Sequence, residues 1–302
     1  MADRTHTPSG AAGEAPAADR PGVVRNVALV GPSGSGKTML VESLLVASGV
    51  LNRLGSVEDG TTVCDFDEVE HRQQRSAGLA LAPLAHQGVK VNLLDTPGYA
   101  DYVGEFRAGL RAADCALFVI AANDGVDAAT RAIWQECATV GMPRAVVITK
   151  LDHARADYAG VLAQTQQAFG DKVLPLYLPF GTDSLAGLLS QRVVTYADRT
   201  PSTREPTEEQ ALEIEAARGS LIEGVIEESE DETLMDRYMG GEDIEPKLLI
   251  DDLETAVARG SFFAVVPACA GSGVGTAELL EIMTSAFPSP PEHTVPPVFT
   301  TV

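Results

Sequence analysis

The feature that most constrains this chain is "GPSGSGKT", Gly31 to Thr38. It sits between the β-rich run "VVRNVALV", Val23 to Val30, and the stretch "TMLVESLLVASG". The second stretch has apolar residues at 40, 41, 44 and 45, a helical spacing that ends at Gly49. A glycine-rich turn running from a strand into a helix gathers backbone N–H groups at the positive end of the helix dipole, where an anion is favoured. The pattern fits G-x-x-x-x-G-K-[ST] in the context that motif requires. Gly31, Pro32, Ser33, Gly34, Ser35 and Gly36 are therefore expected to form a phosphate cradle. Lys37 would supply positive charge to the β- and γ-phosphates, and the Thr38 hydroxyl would bind Mg²⁺. A plain Gly/Ser turn is the bland alternative, and the motif alone does not separate ATP from GTP.

Two further stretches narrow the choice. "LLDTPGYADY" runs an apolar strand into Asp95, Thr96, Pro97 and Gly98, 57 residues after Thr38. Asp95 could hold Mg²⁺ through water, and the Gly98 amide could face a γ-phosphate. Taken alone, the same residues read as an ordinary turn. "TKLD", Thr149 to Asp152, ends another strand-like run, "RAVVIT". A carboxylate at Asp152 can accept from both N1–H and the 2-amino group of guanine, a pair that adenine lacks. The Lys150 stem can lie along the purine face. The order and spacing of the three elements together specify guanine.

Val89 to Leu94 and Ala116 to Ala121 read as buried strands, "DAATRAIWQECATVG" and residues 157 to 169 as helices, and "FFAVVPA" and "TAELLEIMTSAF" as a late strand and helix. This alternation predicts an α/β fold with a doubly wound, mostly parallel sheet. Trp134 is expected to pack on that sheet. "VLPLYLPFG" and "LLSQRVVTYAD" read as strands of a second small sheet. A long acidic helix follows, with Ile214, Leu221, Ile222, Val225 and Ile226 on one face. The expected organisation is a disordered tail over 1–22, a nucleotide domain over 23–171 and 261–289, an inserted subdomain over 172–260, and a Pro-rich linker over 290–302.

The net charge is −21, and residues 205–254 hold 18 acidic and 3 basic side chains. The charge is thus regional, and it argues against a protein that coats nucleic acid. No apolar run reaches the ~20 residues needed to span a bilayer. Cys64, Cys115, Cys137 and Cys269 lack metal-like spacing and read as buried free thiols. Expectations on these grounds are a cytoplasmic monomer without DNA or membrane partners.

With these motifs in place the chain resembles the GTP-binding domain of the translational GTPases, most of all bacterial elongation factor G and its paralogues. "DFDEVEHRQQRS", "DTPGYADYVGEFRAGLRAADCALFVIAANDGV", "MPRAVVITKLD" and "AGSGVGTAELLEIMTSAFPSP" carry the likeness. The insert is similar to that family's G′ subdomain. The resemblance implies GTP/GDP and Mg²⁺ as ligands and the ribosome as partner, with a stalk-protein contact through the acidic insert. It also implies that Ser76 completes the Mg²⁺ site and that the Ala268 N–H donates to guanine O6. The departures gather at hydrolysis. Tyr99 stands where the family has the His that directs water. Ser33 and Arg75 replace its hydrophobic gate, Gly34 replaces an Asp, and Thr149 replaces the guanine-motif Asn. Lys37, Gly98 and Tyr99 are the candidate catalytic groups, with slow ribosome-linked GTP hydrolysis expected. The rivals are a GTP-gated binding module without hydrolysis and an unrelated P-loop kinase or ATPase.

Overall fold

A strand buried on both faces reads as a near-continuous apolar run, and three such runs, Cys115–Ala121, Arg144–Thr149 and Phe263–Pro267, buried at every position, build the centre of this protein. The computed structural model describes residues 16–242 and 244–292, with Ala100 through its backbone alone. In chain order the first half comprises β1 (Val24–Val30), α1 (Lys37–Ala47), α2 (Glu68–Gln73), β2 (Ala80–His86), β3 (Val89–Asp95), α3 (Val103–Ala112), β4 (Cys115–Ala121), α4 (Ala128–Thr139), β5 (Arg144–Thr149) and α5 (Tyr158–Phe169). The second half comprises β6 (Val173–Pro175), β7 (Tyr177–Phe180), β8 (Ser184–Gly187), β9 (Val193–Ala197), β10 (Thr200–Arg204), α6 (Glu208–Ile226), α7 (Leu234–Met239), α8 (Pro246–Arg259), β11 (Phe263–Pro267) and α9 (Thr276–Ser285).

The large sheet has seven strands in the order β2-β3-β1-β4-β5-β11-β6. Only β2 runs antiparallel to its neighbour; the other pairings are parallel. This is the doubly wound α/β fold expected from the alternation of strands and helices. Because β3 and β4 flank β1 on opposite sides, the winding reverses there, and a crevice opens at the carboxyl ends of the strands.

Helices cover both faces. On one face Trp134 of α4 stacks on Phe169 of α5, with ring centroids 4.0 Å apart, and meets Phe118 of β4 edge-on at 4.8 Å. The Arg144 guanidinium lies 4.3 Å above the same indole. Trp134 is thus the sheet-packing residue its helix suggested. On the other face Leu40 and Leu44 of α1, Leu279 and Met283 of α9, and Ile214, Leu221, Ile222 and Val225 of α6 share one core with β1, β3 and β11. The acidic helix therefore buries the face read from its sequence, and it does so against the main sheet.

The small sheet, β10-β9-β8-β7, corrects part of the strand reading. Residues 173–175 of "VLPLYLPFG" pair with β11 at the edge of the large sheet, and only Tyr177–Phe180 enters the small one. "LLSQRVVTYAD" becomes a strand from Val193. Residues 1–15 of the expected tail and 293–302 of the expected linker lie outside the described residues; Pro21–Val23 forms a 3-10 turn. All four cysteines are buried free thiols. Among the described residues no helix is long and apolar enough to cross a membrane.

Candidate nucleotide-binding site

Each predicted site element leaves the large sheet at a carboxyl end. The phosphate loop follows β1, Asp95 ends β3, Thr149 ends β5, and Ala268 follows β11. Register brings Asp95 opposite Leu29 of β1, so the Asp-Thr-Pro-Gly loop starts beside the phosphate loop. Gly98 is required there: a β-carbon would meet the Ser33 backbone nitrogen and lie 2.6 Å from Lys37 Nζ. Gly31, with φ of 151°, turns against the Val119 carbonyl in the same way. The Thr96 hydroxyl, placed by its sequence among ligand contacts, instead donates to the Leu29 carbonyl at 2.6 Å and is fully buried. It anchors the loop and is not aimed at a ligand.

Lys37 is buried and donates to the Gly31 and Pro32 carbonyls at 2.9 and 3.0 Å. Burial pulls its ammonium below the usual range, while Asp95 and Asp65 work in the opposite direction. Thr38 donates to Asp95 Oδ2 at 2.7 Å and lies 3.2 Å from the Ser76 hydroxyl. Ser76 in turn donates to Asp65 Oδ1 at 2.7 Å. The three expected Mg²⁺ contacts, Thr38, Ser76 and Asp95, thus meet at one point, and Asp65 joins them. Burial pushes the Asp95 carboxyl up to about 6, with Lys37 pulling it down. Asp65 is also raised, again chiefly by burial.

Two buried side-chain atoms here have no hydrogen-bond partner among the described residues, Ser35 Oγ and Asp95 Oδ1. Buried polar groups are normally satisfied, so two orphans, one within the phosphate loop and one at the end of β3, suit an anionic ligand carrying a hard cation, which takes carboxylate and hydroxyl oxygens. The residues fit Mg²⁺ with a nucleotide.

At the base end, the Thr149 hydroxyl donates to the Ser35 carbonyl at 2.6 Å and approaches the Ile120 carbonyl at 3.3 Å. One hydroxyl ties the guanine motif to the phosphate loop. Lys150 takes a left-handed backbone, φ 58°, as the chain turns out of β5, and Asp152 is exposed. The Ala268 expectation needs correction. Its N–H donates to the Ile148 carbonyl at 2.8 Å, continuing the pairing between β11 and β5, and is not available to a base. Further along the same loop Gly271 approaches Asp152, its β-carbon position lying 3.9 Å from Asp152 Oδ2.

Tyr99 follows Gly98 at the mouth of the site and is 39% exposed. The Arg75 guanidinium lies 4.6 Å from its ring centroid, while Arg75 Nε donates to Gln73 at 2.7 Å. Hydrogen bonding to Ser33 first, and to Arg75 second, draws the phenol below its usual range. Three of the five residues that depart from the family pattern, Ser33, Arg75 and Tyr99, are therefore neighbours. A 220 Å³ cavity lined by Pro32, Gly98, Tyr99, Phe106 and Thr130 opens beside them.

Sequence reasoning assigned no role to Asp65 or Glu70. Glu70 Oε1 accepts the Ala77 and Gly78 N–H groups at 2.8 and 3.1 Å, and Oε2 accepts those of Phe66 and Asp67 at 3.1 Å each. It thereby folds the segment that delivers Ser76. The signal was present as Asp67-x-x-Glu70, a capping box at the start of α2.

Fold and site together define a P-loop GTPase domain. The family model for the elongation factor Tu GTP binding domain matches residues 23–289. The chain belongs to that family, the GTP-binding domains of translational GTPases. It is 68% identical over 300 residues to the elongation factor G-like proteins of Mycobacterium tuberculosis strains CDC 1551 / Oshkosh and ATCC 25618 / H37Rv, covering 99% of this chain and 42% of each relative. It is also similar to the crystal structure of a Thermus thermophilus protein, ttk003000868, with TM-score 0.82 and 36% identity over 89% of this chain and 41% of that one. The chain spans less than half the length of these relatives.

Proposed function

We propose that the chain binds GTP and GDP with Mg²⁺ and hydrolyses GTP slowly, as the nucleotide domain of an elongation-factor-G-like factor that works with the ribosome in the cytoplasm. One observation carries this reading: Thr38, Ser76 and Asp95 converge beside the phosphate loop, while the position that would aim water is a tyrosine whose ring lies under the Arg75 guanidinium. The phosphate loop and Lys37 would bind the phosphates, Asp152 would read guanine, and Thr38, Ser76 and Asp95 would hold Mg²⁺, the last through water. When bound, the cation neutralises charge on the phosphates. The Gly98 amide would face the γ-phosphate, and Tyr99, which follows it in sequence, would stand by the nucleophile.

In-line attack needs a group that holds the water, and losing such a group commonly costs orders of magnitude in rate. A phenol ring lying under a guanidinium is a poor imidazole. The second reading, a GTP-gated module with no useful hydrolysis, draws on the same contact.

Two measurements test the proposal. Titration with fluorescent GDP is expected to show GDP and GTP far ahead of ATP, with Asp152→Asn weakening GDP by about 10- to 100-fold, the worth of a bidentate charged acceptor. Equal affinity for ATP and GTP would defeat the guanine assignment. GTP turnover with and without ribosomes is expected to be slow and at most modestly stimulated. Fast ribosome-dependent turnover would overturn the hydrolysis reading, and none at all would favour the gated module.

A further inference from the structure

The hairpin joining β9 to β10 turns on Asp198 and Arg199, both with positive φ, 48° and 64°. Two-residue hairpin loops of this form favour Asn-Gly, because the second position lacks a β-carbon penalty only when it is glycine. Here that position carries the longest cationic side chain available, and the structure shows where it goes. Arg199 Nη1 donates to the Ala270 and Gly271 carbonyls, each at 2.8 Å. Nη2 donates to the Ser43 hydroxyl at 2.6 Å, and that hydroxyl donates in turn to the Ala270 carbonyl at 3.1 Å. The side chain also packs against Gly273, whose β-carbon position lies 3.4 Å from Arg199 Cζ. A second hairpin of the small sheet touches the same loop, since Ser272 Oγ donates to the Thr182 carbonyl at 3.4 Å.

The loop so gripped runs from Cys269 to Val274, which are bridged to each other, and Gly271 brings it to the edge of Asp152. Guanine presents N1–H and its 2-amino group to a carboxylate, and O6 lies immediately beside N1. A loop next to Asp152 is therefore placed to meet O6 with its backbone N–H groups. Its Ala270 and Gly271 carbonyls are held by Arg199, while the Cys269 carbonyl accepts the Gly273 N–H inside the loop. Fixing two consecutive carbonyls with one planar guanidinium fixes the peptide planes between them, and so the direction of the N–H groups. Lysine offers a single charged point and cannot hold both carbonyls and the Ser43 hydroxyl in one plane.

We infer that Arg199, contributed by the inserted small sheet, is a positioning residue for guanine recognition: it orients the 269–274 loop toward O6 while Asp152 reads N1–H and the 2-amino group. The inference rests on the guanine-binding reading above and goes further, because it makes the insert part of base selection. It also links the base loop to α1, the helix that starts at Lys37, through Ser43.

The test compares three diphosphates on the whole chain, with ADP as the control for guanine selectivity. GDP carries every group, 6-thio-GDP replaces O6 by a weakly accepting sulfur, and inosine diphosphate lacks only the 2-amino group. The unmodified chain is expected to prefer GDP over both. Arg199→Ala is expected to shrink the preference for GDP over 6-thio-GDP about tenfold, the scale of one or two charge-assisted hydrogen bonds. Its preference for GDP over inosine diphosphate should stay within about twofold, because Asp152 is untouched. Arg199→Lys should fall between the unmodified chain and the alanine variant, and it serves in place of the latter should that one fail to fold. A merely structural role would weaken all three nucleotides together, and that result overturns the inference, as does an unmodified chain indifferent to 6-thio-GDP. If the unmodified chain fails to prefer GDP over ADP, the guanine reading itself has failed, an outcome separate from the others.

Discussion

At the scale of single residues, the site shows substitutions that keep a geometry while changing its chemistry. Thr149 replaces an amide with a hydroxyl, yet that hydroxyl already reaches the Ser35 carbonyl. Thr149→Val should therefore weaken GDP binding several-fold, in line with ~1 kcal/mol for a lost hydrogen bond, whereas Thr149→Asn should change it little. Isothermal titration with GDP checks both, and a large gain in the Asn variant would show that the hydroxyl is an inadequate tie. Tyr99 offers a second comparison. Because the Arg75 guanidinium lies over the Tyr99 ring, a contact that phenylalanine keeps, Tyr99→Phe is expected to leave GTP turnover within about threefold of the unmodified chain. A loss of about 100-fold, the size of an acid–base or positioning role, would assign the phenol to the nucleophile. The candidate site was legible where chemistry sits in short motifs, as in the phosphate loop, Asp95 and Asp152. It was illegible where the contact spans the chain. Nothing local to Arg199 or Asp65 announces Ser43, 156 residues away, or Ser76, 11 residues away. The Ala268 assignment failed because counting along a strand does not say where its last ladder bond falls.

At the scale of elements, the contact that joins the small sheet to the nucleotide fold has its own pH signature. Tyr196 of β9 donates to Glu278 of α9, a buried carboxyl whose titration burial pushes up and this hydrogen bond pulls down. With its folded value raised above the unfolded one, Glu278 binds its proton more readily in the folded state. Its contribution to stability is thus greatest at low pH and is lost as pH rises through the folded value. Tyr196→Phe removes the donor that supports the anion. Urea melts should show it destabilised by ~1–3 kcal/mol at neutral pH and by less as the pH falls and Glu278 takes up its proton. An equal loss at both pH values would mean that the phenol acts only by packing. The elements themselves were readable in proportion to their burial. β4 and β5 are buried at every position and stood out as apolar runs. β10, "TPSTR", is exposed at every position, carries no pattern and went unread. β6 was assigned to the wrong sheet because three residues carry no label for a partner strand that lies ninety positions later.

At the scale of the whole molecule, the uneven charge is the feature that bears on partners. Residues 205–254 hold 18 acidic and 3 basic side chains, yet the helices there are anchored by Leu221, Val225, Leu249 and Val257 in the core shared with the large sheet. Excising the stretch would uncover that core, so the charge must be tested by substitution on the outer face. Some acidic groups are already engaged: Lys172 pairs with Glu227 and Glu228, and Arg259 with Glu230. Along α6, Glu208, Glu209, Glu213 and Glu223 are exposed to solvent. If this face docks on a basic ribosomal protein, as the resemblance to elongation factor G implies, association must follow the rules of steering. It should slow as salt shortens the screening length toward ~8 Å at physiological ionic strength, and the dependence should flatten when the charges are removed. Replacing these four glutamates by glutamine is expected to leave the melting curve within about 0.5 kcal/mol, as for surface changes generally, and GDP affinity intact. Sedimentation of the chain with ribosomes over a salt series should then show weaker binding and a shallower slope than for the unmodified chain. Matching slopes would mean that the acidic face is solvated surface and that any ribosome contact lies elsewhere.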